Sequence, residues 1–166
     1  DVLKIRLAVF GLEHPDVATS QNNIGCVLQA QGKLPEALDM HNKALGTRAT
    51  VLGHDHLDVA KTYNNIGCVF GEQGKFAEEL EMYEKSLVIN IKVLGHDHLD
   101  AATTKMNIGN VLSNQAKYSD ALKMYNQCLK TRKKVLGPDH LQTALTQENI
   151  AIVCDIKGGY IEALGL

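Results

Sequence analysis

The stretch Val51-Leu52-Gly53-His54-Asp55-His56-Leu57-Asp58 returns unchanged from Val93 to Asp100. At the same shift again it returns as Val135-Leu136-Gly137-Pro138-Asp139-His140-Leu141-Gln142. A degenerate copy, Val9-Phe10-Gly11-Leu12-Glu13-His14-Pro15-Asp16, lies one such shift upstream of the first. A fixed period of this size marks an array of supersecondary units. In such an array each unit packs on its neighbours, and there is no central core. A reading of the chain as one globule around one active site is thereby disfavoured.

The period extends beyond the octapeptide. Asn22-Asn23-Ile24-Gly25-Cys26-Val27 recurs as Asn64-Asn65-Ile66-Gly67-Cys68-Val69 and, more loosely, as Met106-Asn107-Ile108-Gly109-Asn110-Val111 and Glu148-Asn149-Ile150-Ala151-Ile152-Val153. Each unit reads as two helices. Val59, Ile66, Val69 and Phe70 form one helical stripe in the first of them. Asp58 or Asp100 marks the start of that helix, and Pro15 fits the first helical position. Gly32, Gly74, Ala116 and Gly158 suit the turn between the helices. The second helix spans about Lys75 to Leu94, with Phe76, Leu80, Tyr83, Leu87, Ile91 and Leu94 on one stripe, and Gly53, Gly95 or Gly137 ends it. The fold class is all-α, a right-handed α-solenoid of antiparallel helix pairs. Its units fall at about 9–50, 51–92, 93–134 and 135–166, and residues 1–8 are the tail of a preceding second helix, since Leu3-Lys4-x-Arg6 matches Leu129-Lys130-x-Arg132. Glu162-Ala163-Leu164 reads as the start of a last second helix that Gly165-Leu166 truncates. Neither end carries a polar capping element, so the chain is expected to be a piece of a longer array, or to have ends that are disordered or covered by a partner.

Composition narrows the function classes. Lys and Arg number 17 against 19 Asp and Glu, so no global field favours nucleic acid. No run approaches the roughly 20 apolar residues that span a bilayer, and no signal peptide or Asn-x-Ser/Thr acceptor occurs. Cys26 and Cys68 occupy one register position in successive units. Stacked helices lie about 8–10 Å apart, too far for a disulfide, so these read as free thiols, small apolar residues in a reducing, cytoplasmic setting.

With these residues in view the chain resembles the tetratricopeptide repeat, in the 42-residue form of kinesin light chains and nephrocystin-like proteins. The matching features are the Ile-Gly pair with Leu28 or Phe70 four residues after the Ile, the turn glycine and the small Ala37, Ala121 or Ala163. The aromatic Tyr83 or Tyr125 and the Val-Leu-Gly-x-Asp-His linker match as well. Glu79 in place of the small residue and His41 in place of the aromatic depart from it. The resemblance implies that the first helices line a concave face on which peptides bind.

Asn23, Asn65, Asn107 and Asn149 stand once per unit on that face. An amide offers donors and an acceptor, so such a series can hold an extended peptide backbone. It can equally bond to the adjacent unit's backbone and stiffen the stack; both readings stay open. Asn22, Asn64, Lys61 and Asn110 add polar specificity. Lys61 has Thr19, Thr103 and Leu145 at its equivalents, which speaks against a clamp for a C-terminal carboxylate.

Six histidines lie in the linkers, and His54-Asp55-His56 invites a zinc reading. The copies are a whole unit apart, so helix starts, where His and Asp satisfy free N–H groups, are the preferred reading. Lys130-Thr131-Arg132-Lys133-Lys134 is the one basic run, and Glu78-Glu79 with Glu81 an exposed acidic face. No phosphate loop, nucleophile with a base or convergent carboxylates occur. The expected function is a non-catalytic interaction scaffold for a peptide or unstructured segment, without cofactor, metal, nucleic acid or membrane insertion. The alternative is an assembly element that packs through its edges and ends.

Overall fold

The computed structural model describes the backbone of residues 2–163 and the side chains of residues 2–158. Eight helices and no strand occur among the described residues: α1 (Val2–Phe10), α2 (Pro15–Ala30), α3 (Leu34–Leu52), α4 (Leu57–Glu72), α5 (Phe76–Leu94), α6 (Leu99–Asn114), α7 (Tyr118–Leu136) and α8 (Leu141–Ala163). The all-α repeat fold expected from the period is therefore present. The chain divides into two compact units, Asp1–Val93 and Leu94–Leu166. In the first, α2 pairs with α3 and α4 with α5; in the second, α6 pairs with α7.

The linker histidines start the first helices. His14, His56, His98 and His140 each accept at Nδ1, at 3.1 Å, the backbone N–H two residues on. This is the N-cap contact usually made by a short oxygen side chain. No group of three or more His, Cys, Asp or Glu side chains is placed to hold a metal ion among the described residues.

The turns follow the sequence reading at Gly32, Gly74 and Ala116, with one departure, at Gly158. Ala116, between α6 and α7, adopts the left-handed conformation at φ 58, where Gly32 and Gly74 stand at φ 72 in the other turns. The expected turn at Gly158 does not form: α8 runs through it to Ala163. Glu162 and Ala163 thus continue α8 instead of opening a second helix, and Leu164, Gly165 and Leu166 lie outside the described residues. The pairs that close have a glycine of the first helix against a ring of the second; in α8 that register position is Ala151.

Of the stripe expected in α5, Tyr83 alone is buried. Phe76 is exposed, while Leu80, Leu87, Ile91 and Leu94 are only half-buried. The deepest column of α5 is Tyr83, Ser86, Ile89 and Asn90, matched by His41, Ala44 and Arg48 in α3 and by Tyr125, Cys128 and Arg132 in α7. The first-helix stripe is as expected, with Val59, Ile66 and Val69 buried. No helix is long and apolar enough to cross a membrane among the described residues.

Candidate peptide-binding face

The first helices carry all eight candidate residues: Asn22 and Asn23 on α2, Lys61, Asn64 and Asn65 on α4, Asn107 and Asn110 on α6, and Asn149 on α8. In the first unit the structure brings Asn22 and Asn65 together. Asn65 donates its amide to Asn22 Oδ1 at 2.9 Å and approaches Cys26 Sγ at 3.8 Å. Asn22 Oδ1 also lies 3.1 Å from Nδ1 of the buried His41. Asn64 turns the other way and donates to Ser86 Oγ on α5 at 2.9 Å. Asn23 is exposed and lines a hollow of about 410 Å³ with Arg6, Ser20 and Ile24. Lys61 is exposed and lies 3.7 Å from Asp58 one turn back.

The second unit repeats the register contact with different chemistry. Asn149 donates to Met106 Sδ at 3.9 Å, the same 43-residue reach as Asn65 to Asn22. Asn107 is half-buried. Asn110 is exposed, and its Oδ1 accepts from Tyr125 OH at 2.8 Å. Asn65 and Asn149 thus each bond to a side chain of the preceding first helix within their own unit. The donor of Asn65 and that of Asn149 are directed along the stack. The Asn65 carbonyl oxygen accepts no hydrogen bond among the described residues.

Underneath this face lie two devices that sequence reasoning missed. The first is glycine against ring. A Cβ added at Gly25, Gly67 or Gly109 would stand 2.7, 2.7 or 2.5 Å from the ring of His41, Tyr83 or Tyr125. Each glycine admits the ring of its paired helix, which sets how closely the pair approaches. The second is an arginine clip between a second helix and the following first helix. Arg6, Arg48 and Arg132 each donate through Nη1 to a carbonyl ten residues on and a hydroxyl fourteen residues on. The hydroxyls are those of Ser20, Thr62 and Thr146, at 2.7, 2.8 and 2.8 Å. Arg132 is therefore buried and does not belong to the solvent-facing basic run. The periodic placing of Arg6, Arg48 and Arg132, with Asn90 at the intervening position, was the available signal.

Glu79 is a further correction: it is half-buried, not part of an exposed acidic face. It replaces the small Ala37 and Ala121 because Gly71 faces it, where the other units have Gln29 and Ser113. A Cβ at Gly71 would lie 2.6 Å from Glu79 Oε1. Burial raises the Glu79 carboxyl, while Tyr83 opposes that shift through a hydrogen bond.

All four cysteines are free, but they do not share one environment: Cys26 and Cys154 are exposed, Cys68 half-buried and Cys128 buried. Cys26 and Cys68 are the free thiols expected, in different surroundings. Burial raises the thiol pKa of Cys68, which lies 3.3 Å from Tyr83 OH, and that of Cys128. Both are held as thiols, the less nucleophilic form.

Comparison with known proteins agrees with this architecture. A tetratricopeptide repeat profile matches residues 1–49, 27–90, 80–134 and 100–166. The chain belongs to the tetratricopeptide repeat family. Among solved structures it is similar to BtubC (BKLC) from P. vanneervenii, with TM-score 0.80 and 19% identity over 92% of this chain and 61% of that one. It is similar to the nearly identical TPR-like repeats of a protein assigned as a kinesin light chain in Podosopora anserina, with TM-score 0.79 and 20% identity over 99% and 78%. The apo form of RapI gives TM-score 0.81 and 17% identity over 97% of this chain and 56% of that one. The chain thus spans less than two thirds of the BtubC and RapI structures. At these identities the tetratricopeptide repeat likeness is one of fold. No curated protein matches the sequence.

Proposed function

We propose that this tetratricopeptide repeat chain is a non-catalytic, cytoplasmic scaffold that binds an extended peptide segment along its first helices. The observation that carries the reading is the orientation of the Asn65 amide. Its donor is committed to Asn22, so the group is held in one rotamer with its carbonyl oxygen available. A fixed acceptor with a satisfied donor is preorganised for a peptide backbone N–H. Exposed Asn23, Lys61 and Asn110 then supply side-chain recognition.

The test is a peptide selected from a random display library on the whole chain, then titrated against Asn65→Ala plus Asn107→Ala. Binding is expected to weaken about tenfold or more, equivalent to about 1.4 kcal/mol, with an unchanged circular dichroism spectrum. Selected peptides that bind the double variant as tightly as the parent chain would sink the reading. The assembly alternative draws on the exposed Val2, Ile5 and Val9 of α1 and Leu141, Leu145, Ile152 and Ile156 of α8. It requires concentration-dependent association in sedimentation velocity, lost when Ile5 and Ile152 become Lys.

A further inference from the structure

A residue that occurs in one unit and that no packing need in that unit explains is a candidate for a role outside the fold. The outer side of the α4–α5 pair collects several such residues. Tyr63 stands where the other units have Gln21, Lys105 and Gln147. Val88 stands where they have Gly46 and Lys130, and Glu84 where they have Asn42 and Asn126. These three, with His54, Glu81 and Ile89, line a hollow of about 440 Å³. Its floor is apolar: Tyr63 packs on the buried cluster of Val59, Ala60 and Ile89. Val88 contributes nothing to the core, being 65% exposed.

The rim is acidic. Glu81 pairs with Lys85 at 2.7 Å, and the same ammonium lies 5.7 Å from the centroid of the Tyr63 ring. Glu84 has no ion pair among the described residues. Two carboxylates therefore face one ammonium beside an apolar floor. The register positions of the second unit carry the opposite sign, with Lys105, Lys123 and Lys130.

We infer that this hollow is a docking site for a partner segment that presents an apolar side chain next to a lysine or arginine. The apolar side chain covers Tyr63 and Val88, and the cation lies against Glu84. The volume falls in the range of about 300 to 1,000 Å³ of small-ligand sites, room for the adjacent apolar and cationic side chains of a short segment. A stable dimer instead needs a broad face of about 1,200–2,000 Å² in total, so a peptide fits better than a second copy. The site is distinct from the asparagine face, and its occupant differs in charge from one selected by Lys61.

The test uses the whole ¹⁵N-labelled chain titrated with three capped dipeptide amides: Leu-Arg, Leu-Glu and Ser-Arg. Leu-Arg is expected to shift the Tyr63, Val88 and Ile89 amides with an affinity of about millimolar, at least about fivefold tighter than the other two. Val88→Asp should abolish those shifts, and Glu84→Lys should reverse the preference toward Leu-Glu. Asn65→Ala plus Asn107→Ala should leave the Leu-Arg titration unchanged, which separates this site from the asparagine face. Absent shifts, equal affinity for Leu-Arg and Leu-Glu, or indifference to Val88→Asp would overturn the inference. So would a dimer in sedimentation velocity that Val88→Asp dissolves, because the occupant would then be a second copy.

Discussion

The pairs α2–α3 and α6–α7 use one register, yet an imidazole closes the first and a phenol the second. Tyr125 fills the space over Gly109 and donates its hydroxyl to Asn110 at 2.8 Å. His41 fills the space over Gly25, bonds through Nδ1 to Asn22 and leaves Nε2 buried with no partner. The difference shows that the repeat specifies a flat ring opposite a glycine and tolerates variation in its polar atoms. It also shows where tolerance has a cost. A buried polar nitrogen without a partner is destabilising by about 1–3 kcal/mol, and the α6–α7 pair has no such defect at its ring.

The largest effect should come from removing the space itself. Gly109→Ala places a methyl group 2.5 Å from a Tyr125 ring that is tethered by its hydroxyl. Overpacking of about 1–3 kcal/mol should exceed the gain of about 1 kcal/mol from replacing a helical glycine. Urea unfolding would show a lower midpoint than the parent chain, and a raised midpoint would break the glycine–ring account. Gly25→Ala, facing the smaller and less tethered ring, should lose less.

His41→Tyr should convert the first pair to the chemistry of the second. Cys26 then stands where Cys68 meets Tyr83 OH, so the new hydroxyl has a neighbour. Burial, and secondarily Arg48, lower the His41 pKa in the folded chain. Between that depressed value and the ordinary value of about 6.5, the unfolded chain binds a proton that the folded chain does not. Stability therefore falls as pH drops through that window. Unfolding free energies at pH 7.5 and 5.5 should show the variant about 1 kcal/mol more stable at the higher pH, with a smaller loss on acidification. An unchanged pH dependence would remove His41 as its source.

The smallest change is Tyr125→Phe, which keeps the ring and deletes the bond to Asn110. A loss of about 0.5–1.5 kcal/mol is expected from one hydrogen bond. No loss in urea unfolding would mean that ring shape alone closes the pair, and that the polar atom of His41 is equally immaterial.

Much of this architecture was legible in the residues. The strict period set out the helix pairs, and the linker histidines announced the helix starts through their place before Asp58 and Asp100. Arg132 went unread although it repeats Arg6 and Arg48, because an arginine between Lys130 and Lys133 looks like any solvated cation until a hydroxyl fourteen residues away is brought beneath it. Glu79 was noticed as an exception, but its explanation lies across the pair in Gly71, eight residues back, and only the turn between α4 and α5 brings the two face to face. Gly158 looked like a turn because glycine permits one; the ring contact that closes the other pairs has Ala151 at its register position. At the candidate site, sequence placed the asparagines on one helix layer but could not say which amide atoms the stack would occupy.

The arginine clip has a consequence for chain length. Its partners stand ten and fourteen residues ahead, in the next unit, so a deletion that takes those partners away leaves the arginine a new pair only if it removes a whole period. Excising residues 7–48 would set Arg6 ten residues before Asp58 and fourteen before Thr62, the partners that Arg48 holds. Excising a segment of another length that starts just after Arg6 and runs past Ser20 would take Arg6 from its own partners without setting it before Asp58 and Thr62. A clip joined across such an excision is therefore re-formed by whole periods and broken by intermediate lengths.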